Sequence, residues 1–278
     1  MALRERLRGT IPQEKLPLVP TAFDIIGNKD RAVAIIEIPQ ALKRYQKRIA
    51  QALMQQHGNV VSVLAKASPR TGVHRTRKLT LLAGSKKTDV VHAESGCRFL
   101  VDPKTSYFSP RESAERLRIV AMIKPQETVM VFFAGVGPFA IVIGKKTHAK
   151  QVIGIEINRH AVDHFLRNIR LNKLINTTAV LGDVHEKAQE FAGQCDRVLM
   201  PLPESSLDFV ADAFTCLKPG GTCHVYCFST DAEIETKKET IRAAAEEMGR
   251  SVTFSFVQHV LPYGPGIWKM RIDVVLKT

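Results

Sequence analysis

A chain of 278 residues is long enough for one large domain or two modest ones with a real core. Hydrophobic residues at 45% and charged residues at 24% exclude overall disorder, and no apolar run reaches the roughly 18 residues of a membrane span. A net charge of +13 argues for a polyanionic partner, the alternative being solubility alone.

Residues 1 to 20 read as a flexible or helical lead-in with prolines at 12, 17 and 20, lacking the apolar core of a secretory signal. Ile25-Ile26 and Val33 to Ile38 suit strands on either side of a Gly-Asn-Lys-Asp turn. Ala41 to Gln56 reads as a helix, with Leu42, Tyr45, Ile49 and Leu53 at helical spacing. Val60 to Leu64, Thr80 to Gly84, Val90 to Ala93 and Cys97 to Val101 are further short strands, and Ser68 to Lys78 is a basic loop. Residues 21–103 thus read as a small α+β module. Basic residues come in groups: Lys43-Arg44 with Lys47-Arg48, Arg70 to Lys78, Lys86-Lys87, and Lys145-Lys146 with Lys150. Any one group is ordinarily a solvated face. Their concentration ahead of the second half argues for RNA docking, with Arg70, Arg75, Arg77, Lys78, Lys145 and Lys146 as candidate contacts.

Residues 104 to 125 connect, carrying a helix over Ser113 to Ile123. From Glu127 strands and helices alternate: Thr128 to Phe132, a glycine loop and helix, Gln151 to Ile155, His160 to Asn172, Thr178 to Leu181. That alternation predicts a doubly wound, mostly parallel α/β sheet, a Rossmann-like domain over 104–278. The five cysteines, Cys97, Cys195, Cys216, Cys223 and Cys227, lack paired CxxC spacing and read as reduced core thiols, not metal ligands.

The glycine loop Ala134 to Ala140 follows a strand, where glycines permit a sharp turn and close approach of a ligand to the backbone. Glu156 closes the next strand, 21 positions beyond Gly135, where an acid accepts hydrogen bonds from a nucleoside ribose. These two features leave NAD and S-adenosylmethionine both open. Gly182-Asp183 ends the following strand with an acid suited to the adenine amine; a lone Asp there is ordinarily a helix cap. Asp196 to Met200 then leads to Pro201-Leu202-Pro203 at the end of a fourth strand, where base-modifying methyltransferases line the target pocket. The series favours S-adenosylmethionine.

The order YFSPRESAERLR, FAGVGPFAI, IEIN, NIRLNK, GDV, DRVLMPLP and LKPGG resembles the archaeal and eukaryotic tRNA (guanine-37-N1)-methyltransferases, which share a superfamily with wybutosine-pathway aminocarboxypropyl transferases. The resemblance continues upstream through FDIIG, IIEIP, LAKAS, HRTRK, LLAG and GCRF and downstream through PYGPGIW. It implies methyl transfer to N1 of the guanine 3′ of the anticodon by a cytoplasmic, metal-free, monomeric enzyme acting on tRNA. It implies that Glu115 is the general base and Arg75 the cation near O6, residues otherwise readable as a solvated helix position and a phosphate contact. It implies a cofactor site of Tyr107, Arg116, Phe133, Gly135, Gly137, Pro138, Glu156, Ile157, Asn158, Asp183, Val184, Pro201 and Pro203. The superfamily leaves two further readings, aminocarboxypropyl transfer or methylation of a tricyclic intermediate at the same nucleotide; an RNA-binding protein without catalysis is a third.

The chain departs from the family pattern twice. Val131 stands where the strand before the glycine loop ordinarily carries an acid that organises the loop. Pro201 stands where many members carry an Asn able to hydrogen-bond guanine. Proline has no N–H donor, so base recognition is expected to lean on backbone carbonyls of 201 to 203 and on Arg75.

Overall fold

The computed structural model describes residues 2–68 and 77–277. Arg70 and Arg75 lie outside the described residues. The chain divides into two compact units, Met1–Pro110 and Arg111–Thr278.

In the first unit a short helix α1 (Leu3–Arg6) and a 3-10 turn (Gln13–Leu18) precede the sheet. Leu3, Leu7, Ile11 and Val19 are buried in this unit's core, so the lead-in takes its helical alternative and is anchored by apolar contact. Strands β1 (Phe23–Gly27) and β2 (Ala32–Ile36) pair antiparallel. Helix α2 (Gln46–Gln56) crosses to β3 (Val60–Lys66), parallel to β2, and β4 (Leu79–Gly84) pairs antiparallel to β3. The helix expected from Ala41 begins as a 3-10 turn over Gln40–Tyr45 after Pro39 and becomes α-helical only at Gln46. Its buried face carries Leu42, Tyr45, Ile49 and Leu53, the residues that its spacing selects. A separate hairpin joins β5 (Val90–Glu94) and β6 (Cys97–Val101). Phe108 lies 4.9 Å from the His92 ring and 5.8 Å from Phe99, which ties the chain to this unit as far as Pro110.

The second unit opens with α3 (Ser113–Val120), then β7 (Thr128–Val131), α4 (Pro138–Lys146), β8 (Gln151–Glu156), α5 (Arg159–Leu171), β9 (Thr177–Leu181), α6 (Val184–Lys187) and β10 (Cys195–Met200). It continues through α7 (Val210–Cys216), β11 (Leu217–Ser229), α8 (Ile234–Glu247), β12 (Ser251–Gly264) and β13 (Ile267–Lys277). The sheet order is β12-β13-β11-β10-β7-β8-β9. Strands β7 to β11 run parallel, and the β12–β13 hairpin adds an antiparallel edge at β11. The chain winds from β7 to β9 in one direction and then returns to β10 and β11 on the other side of β7. That reversal opens a crevice at the carboxyl end of β7, the place where such sheets take ligands.

Strand alternation sends two different chemistries to the two faces of this sheet. Met130, Phe132, Val198, Met200, Cys223, Val225, Cys227, Met270, Ile272 and Val274 build an apolar core with residues of α7 and α8. The intervening Arg197, His224, Tyr226, Lys269, Arg271 and Asp273 are also buried. The core side is ordinary packing; the other side carries the polar groups of the site.

All five cysteines are buried and free. Burial pushes the Cys227 thiol up to about 11 and Cys223 higher still, so both stay protonated at neutral pH. Native protein at pH 8 is therefore expected to resist maleimide labelling, with the thiols reacting after denaturation; rapid native labelling of Cys223 or Cys227, read by mass spectrometry, contradicts this packing.

Candidate active site

The glycine loop turns out of β7 by leaving both neighbouring strands at once. Phe132 donates its N–H to the Leu199 carbonyl at 2.9 Å, and Ala134 donates to the Ile155 carbonyl at 2.9 Å. Between them Phe133 takes φ +52°, followed by Gly135 at +57° and Gly137 at +85°. Left-handed backbone is costly for a phenylalanine and persists where the surroundings impose it. Its ring packs edge-on to Phe209 at 4.8 Å, and Phe209 stacks on His185 at 4.2 Å.

Two side chains hold the loop in place. Glu156, at the end of β8, accepts from the Gly135 N–H at 2.7 Å through Oε2 and from the Asn158 N–H at 2.8 Å through Oε1. Asn168 on α5 is fully buried and donates Nδ2 to the Val136 carbonyl at 2.9 Å. Asn172, one helical turn on, donates to the Asn168 carbonyl at 2.8 Å. NIRLNK therefore matters through two asparagines that steady the glycine loop, a role invisible in helical periodicity, which marks them only as polar. Val131 is 1% exposed within β7. The loop's anchorage thus comes from Glu156 and Asn168.

The loop also has a floor. A Cβ on Gly137 would stand 2.1 Å from the Phe165 ring, and one on Gly154 would stand 2.5 Å from it. Both positions need glycine for close packing of α5 on the sheet. Pro138 then opens α4 with no side-chain cap, leaving its first N–H groups directed at the crevice end. Asn158 caps α5 by accepting from the His160 N–H, and Asp183 caps α6 by accepting from the His185 N–H at 2.9 Å. Asp183 is thus a cap in this structure. Ile157 is half-buried beside Glu156, and Val184 is buried behind Asp183.

Glu115 is not a solvated helix residue: it is 2% exposed. Its Oε1 accepts from the Tyr226 hydroxyl at 2.8 Å and from Arg271 Nη1 at 2.6 Å, while Oε2 contacts Arg118 Nη1. Arg271 also reaches Asp273 through Nε at 2.8 Å and Nη2 at 3.1 Å. Asp273 meets His224 Nδ1 at 2.6 Å, and His224 Nε2 meets Arg197 Nη1 at 2.7 Å. Arg197 closes the chain on Glu127 with two contacts of 2.9 Å. Because Arg197 only donates, Nε2 must accept and Nδ1 must carry the proton. Burial lowers His224 below the usual histidine range, and Asp273 opposes that shift without reversing it. Burial alone would raise Asp273, yet His224 and then Arg271 hold it below the usual carboxylate range. Burial, then Glu115, pushes the Tyr226 phenol well up, so it stays a donor.

This network reaches the turn at 201 to 203. Met200 pairs with Val225, which puts Pro201 level with Tyr226. The turn's carbonyls already have donors: Pro201 from Lys269 Nζ at 3.3 Å, Leu202 from the Ser206 N–H at 3.0 Å, and Pro203 from the Phe228 N–H at 3.2 Å. Each of these carbonyls therefore accepts one hydrogen bond that holds the turn and keeps a second lone pair.

The remaining sequence-selected residues divide. Arg116 is buried, its guanidinium 5.9 Å from the Phe139 ring centre. Tyr107 is exposed and belongs to the first unit, as do Arg77 and Lys78 ahead of β4. Lys145 and Lys146 sit in the last turn of α4, at the end away from the glycine loop. There they complement the helix dipole, and Lys145 approaches Asn172 Oδ1 at 3.4 Å. The structure does not bring them to the crevice. Among the described residues no cluster of His, Cys, Asp or Glu is arranged to hold a metal ion, and no helix is long and apolar enough to cross a membrane.

Anchored glycine loop, strand-end acids and switch-point crevice together define the nucleoside-cofactor site of a Rossmann-like methyltransferase. The residues present fit S-adenosylmethionine: two strand-end carboxylates, Glu156 and Asp183, and an open helix terminus after the glycine loop. Comparison with known proteins agrees. The TRM5/TYW2 methyltransferase domain matches residues 90–253, and the TYW2 N-terminal domain matches residues 3–88. The tRNA (guanine(37)-N(1))-methyltransferase Trm5b of Pyrococcus abyssi is 38% identical over 95% of this chain and 77% of its own length. Its crystal structure superposes with a TM-score of 0.85, covering 96% of this chain and 78% of that one. TYW2 of P. horikoshii in complex with MeSAdo superposes with a TM-score of 0.83 at 27% identity, covering 99% of this chain and 98% of that one. The chain belongs to the TRM5/TYW2 methyltransferase family.

Gly137→Ala is expected to cost about 3 kcal/mol from left-handed strain and overpacking and to weaken S-adenosylmethionine binding in calorimetry. Arg271→Met leaves Glu115 and Asp273 buried without their shared partner and should cost about 3–5 kcal/mol in urea denaturation. His224 is depressed in the folded state, so the unfolded chain binds its proton first as pH falls. Stability should therefore decline below about pH 6.5, with a shallower decline in His224→Gln.

Proposed function

We propose that this protein transfers the methyl group of S-adenosylmethionine to N1 of guanine-37 in tRNA, as a cytoplasmic monomer that needs no metal. The observation that carries this reading is the buried Glu115 carboxylate of α3, bonded to Tyr226 level with the Pro201 turn of a sheet whose switch-point crevice fits the cofactor. S-adenosylmethionine supplies a methyl already activated on sulfonium, so the protein's own work is alignment and proton removal. Guanine N1 holds its proton firmly at neutral pH. Glu115 is the acceptor for it: Tyr226 and Arg271 fix one oxygen, and among the described residues the other is shared only with the half-exposed Arg118. Arg75 supplies positive charge toward O6. Glu156 and Asp183 take the ribose and adenine, Gly135, Gly137 and Pro138 line the loop, and Tyr107 and Arg116 serve the methionine end. Arg70, Arg77 and Lys78 with the basic face of α2 contact phosphates, which position the tRNA without reading its sequence. The target base must leave its stack to reach Glu115.

A second reading has its own support. The N-terminal match is to the TYW2 type, and a 4-demethylwyosine aminocarboxypropyltransferase of P. horikoshii aligns with 98% of this chain and 95% of its own length. In that reading the same site delivers the aminocarboxypropyl group to C7 of the tricyclic base.

Incubation with labelled cofactor and unmodified tRNA, followed by nucleoside digestion, separates the two. The expected product is 1-methylguanosine; a carboxypropyl nucleoside, or none, overturns the methyl-to-N1 reading. Glu115→Gln should lower kcat by about 100-fold or more, the range of general-base loss, with cofactor affinity preserved. tRNA affinity should fall steeply between 50 and 200 mM salt, on the order of 10-fold or more for several phosphate contacts.

A further inference from the structure

The second departure from the family pattern removes a base-facing amide at 201, and the structure places a cation beside the Pro201 carbonyl. Lys269 is a β13 residue whose side chain is 6% exposed. Its ammonium donates to the Pro201 carbonyl at 3.3 Å, pairs with Glu112 Oε1 at 3.0 Å and lies 4.9 Å from the centre of the Tyr226 ring. An ammonium carries three N–H donors. Two are taken by Pro201 and Glu112; among the described residues no third acceptor is bonded to it.

Lys269 and Glu115 flank one ring. Lys269 approaches the face of Tyr226 while Glu115 accepts from its hydroxyl. This places a carboxylate and a cation beside the same turn. Guanine presents N1–H and O6 as adjacent atoms on its pairing edge. When N1 gives its proton to a carboxylate, the negative charge spreads onto O6 by resonance. A cation already fixed by a buried partner and a backbone carbonyl stabilises that charge without reorganising. Proline at 201 offers no polar side chain to compete for the place, and its carbonyl helps to hold the ammonium there.

We propose that Lys269 is a catalytic and specificity-determining residue that donates its remaining N–H to O6 of the target guanine, held in position by Glu112 and the Pro201 carbonyl. The proposal rests on the guanine-N1 reading. In the step it serves, the N1 proton passes to a Glu115 oxygen and the N1 electron pair forms the new bond to the methyl carbon. The electrons of the broken carbon–sulfur bond stay on sulfur, and Lys269 neither gains nor loses a proton.

The test measures binding and turnover with tRNA carrying guanine or 6-thioguanine at position 37. Thioguanine keeps N1–H and replaces the oxygen by a weaker acceptor. Wild-type protein should bind the guanine form about 10-fold more tightly, the scale of one charge-assisted hydrogen bond. Lys269→Met should lose that preference while S-adenosylmethionine affinity is unchanged. Its kcat should fall by about 100-fold, the cost of one oxyanion donor, and recover partly as pH rises, because alkalinity replaces the missing help to N1 ionisation. The double variant Glu112→Gln/Lys269→Met removes both buried charges and should behave alike, which guards against simple misfolding of the single variant. A uniform loss with the guanine preference and pH profile intact would make Lys269 a structural ion-pair partner and overturn the proposal. If wild-type protein forms no 1-methylguanosine, the N1 reading fails first; if it does and Lys269→Met keeps its preference, only the Lys269 assignment fails.

Discussion

The arrangement of the second unit's site depends on the guanidinium of Arg271. It is 1% exposed and joins Glu115 on α3 to Asp273 on β13. Through Asp273 it is connected to His224, Arg197 and Glu127. Glu112, Glu115, Glu127 and Asp273 are balanced by Lys269, Arg118, Arg197 and Arg271, with His224 neutral between them. Buried charges survive only when paired and hydrogen-bonded. An apolar face of the same volume would give stability as good or better. What the charged face provides is a carboxylate whose position is set from several sides, by Tyr226, Arg271 and Arg118.

The cofactor end follows a different logic. There the constraint is backbone shape. Phe133, Gly135 and Gly137 all take left-handed φ, and their peptide groups are held by Glu156 and Asn168. Phe165 fills the space beneath, which forbids a side chain at Gly137 or Gly154. Strain in the loop is thus balanced by contacts on three sides, so the helix terminus that follows stays directed at the crevice. The acid missing at Val131 is replaced in effect by anchors that come from the next strand and the next helix.

Much of this was readable in the chain. Glycines after an apolar strand, an acid at the end of the next and a second acid after a third give the nucleoside site its order, because each must occupy the carboxyl end of a parallel strand. The N-terminal strands and helix were likewise legible from period and turn residues, apart from the 3-10 start after Pro39. Asn168 was not. A polar residue on an otherwise amphipathic helix looks like any other until the Val136 carbonyl is found above it. The β11–β13 polar face was also hidden, since Lys269, Arg271 and Asp273 alternate with Met270, Ile272 and Val274 as in any half-solvated strand.

The sequence by itself determined the fold class, the cofactor loop and the family, because those rest on local spacing and on motifs that the chain carries intact. The environment of Glu115 was decided only by tertiary structure. Its partners Tyr226 and Arg271 lie 111 and 156 positions away. Spacing along one helix places Glu115 on a turn, whereas burial between that helix and an antiparallel edge hairpin turns it from a solvated surface acid into a fixed carboxylate. Lys269 is the same case: only the pairing of β13 with β11 carries its ammonium to the carbonyl of Pro201.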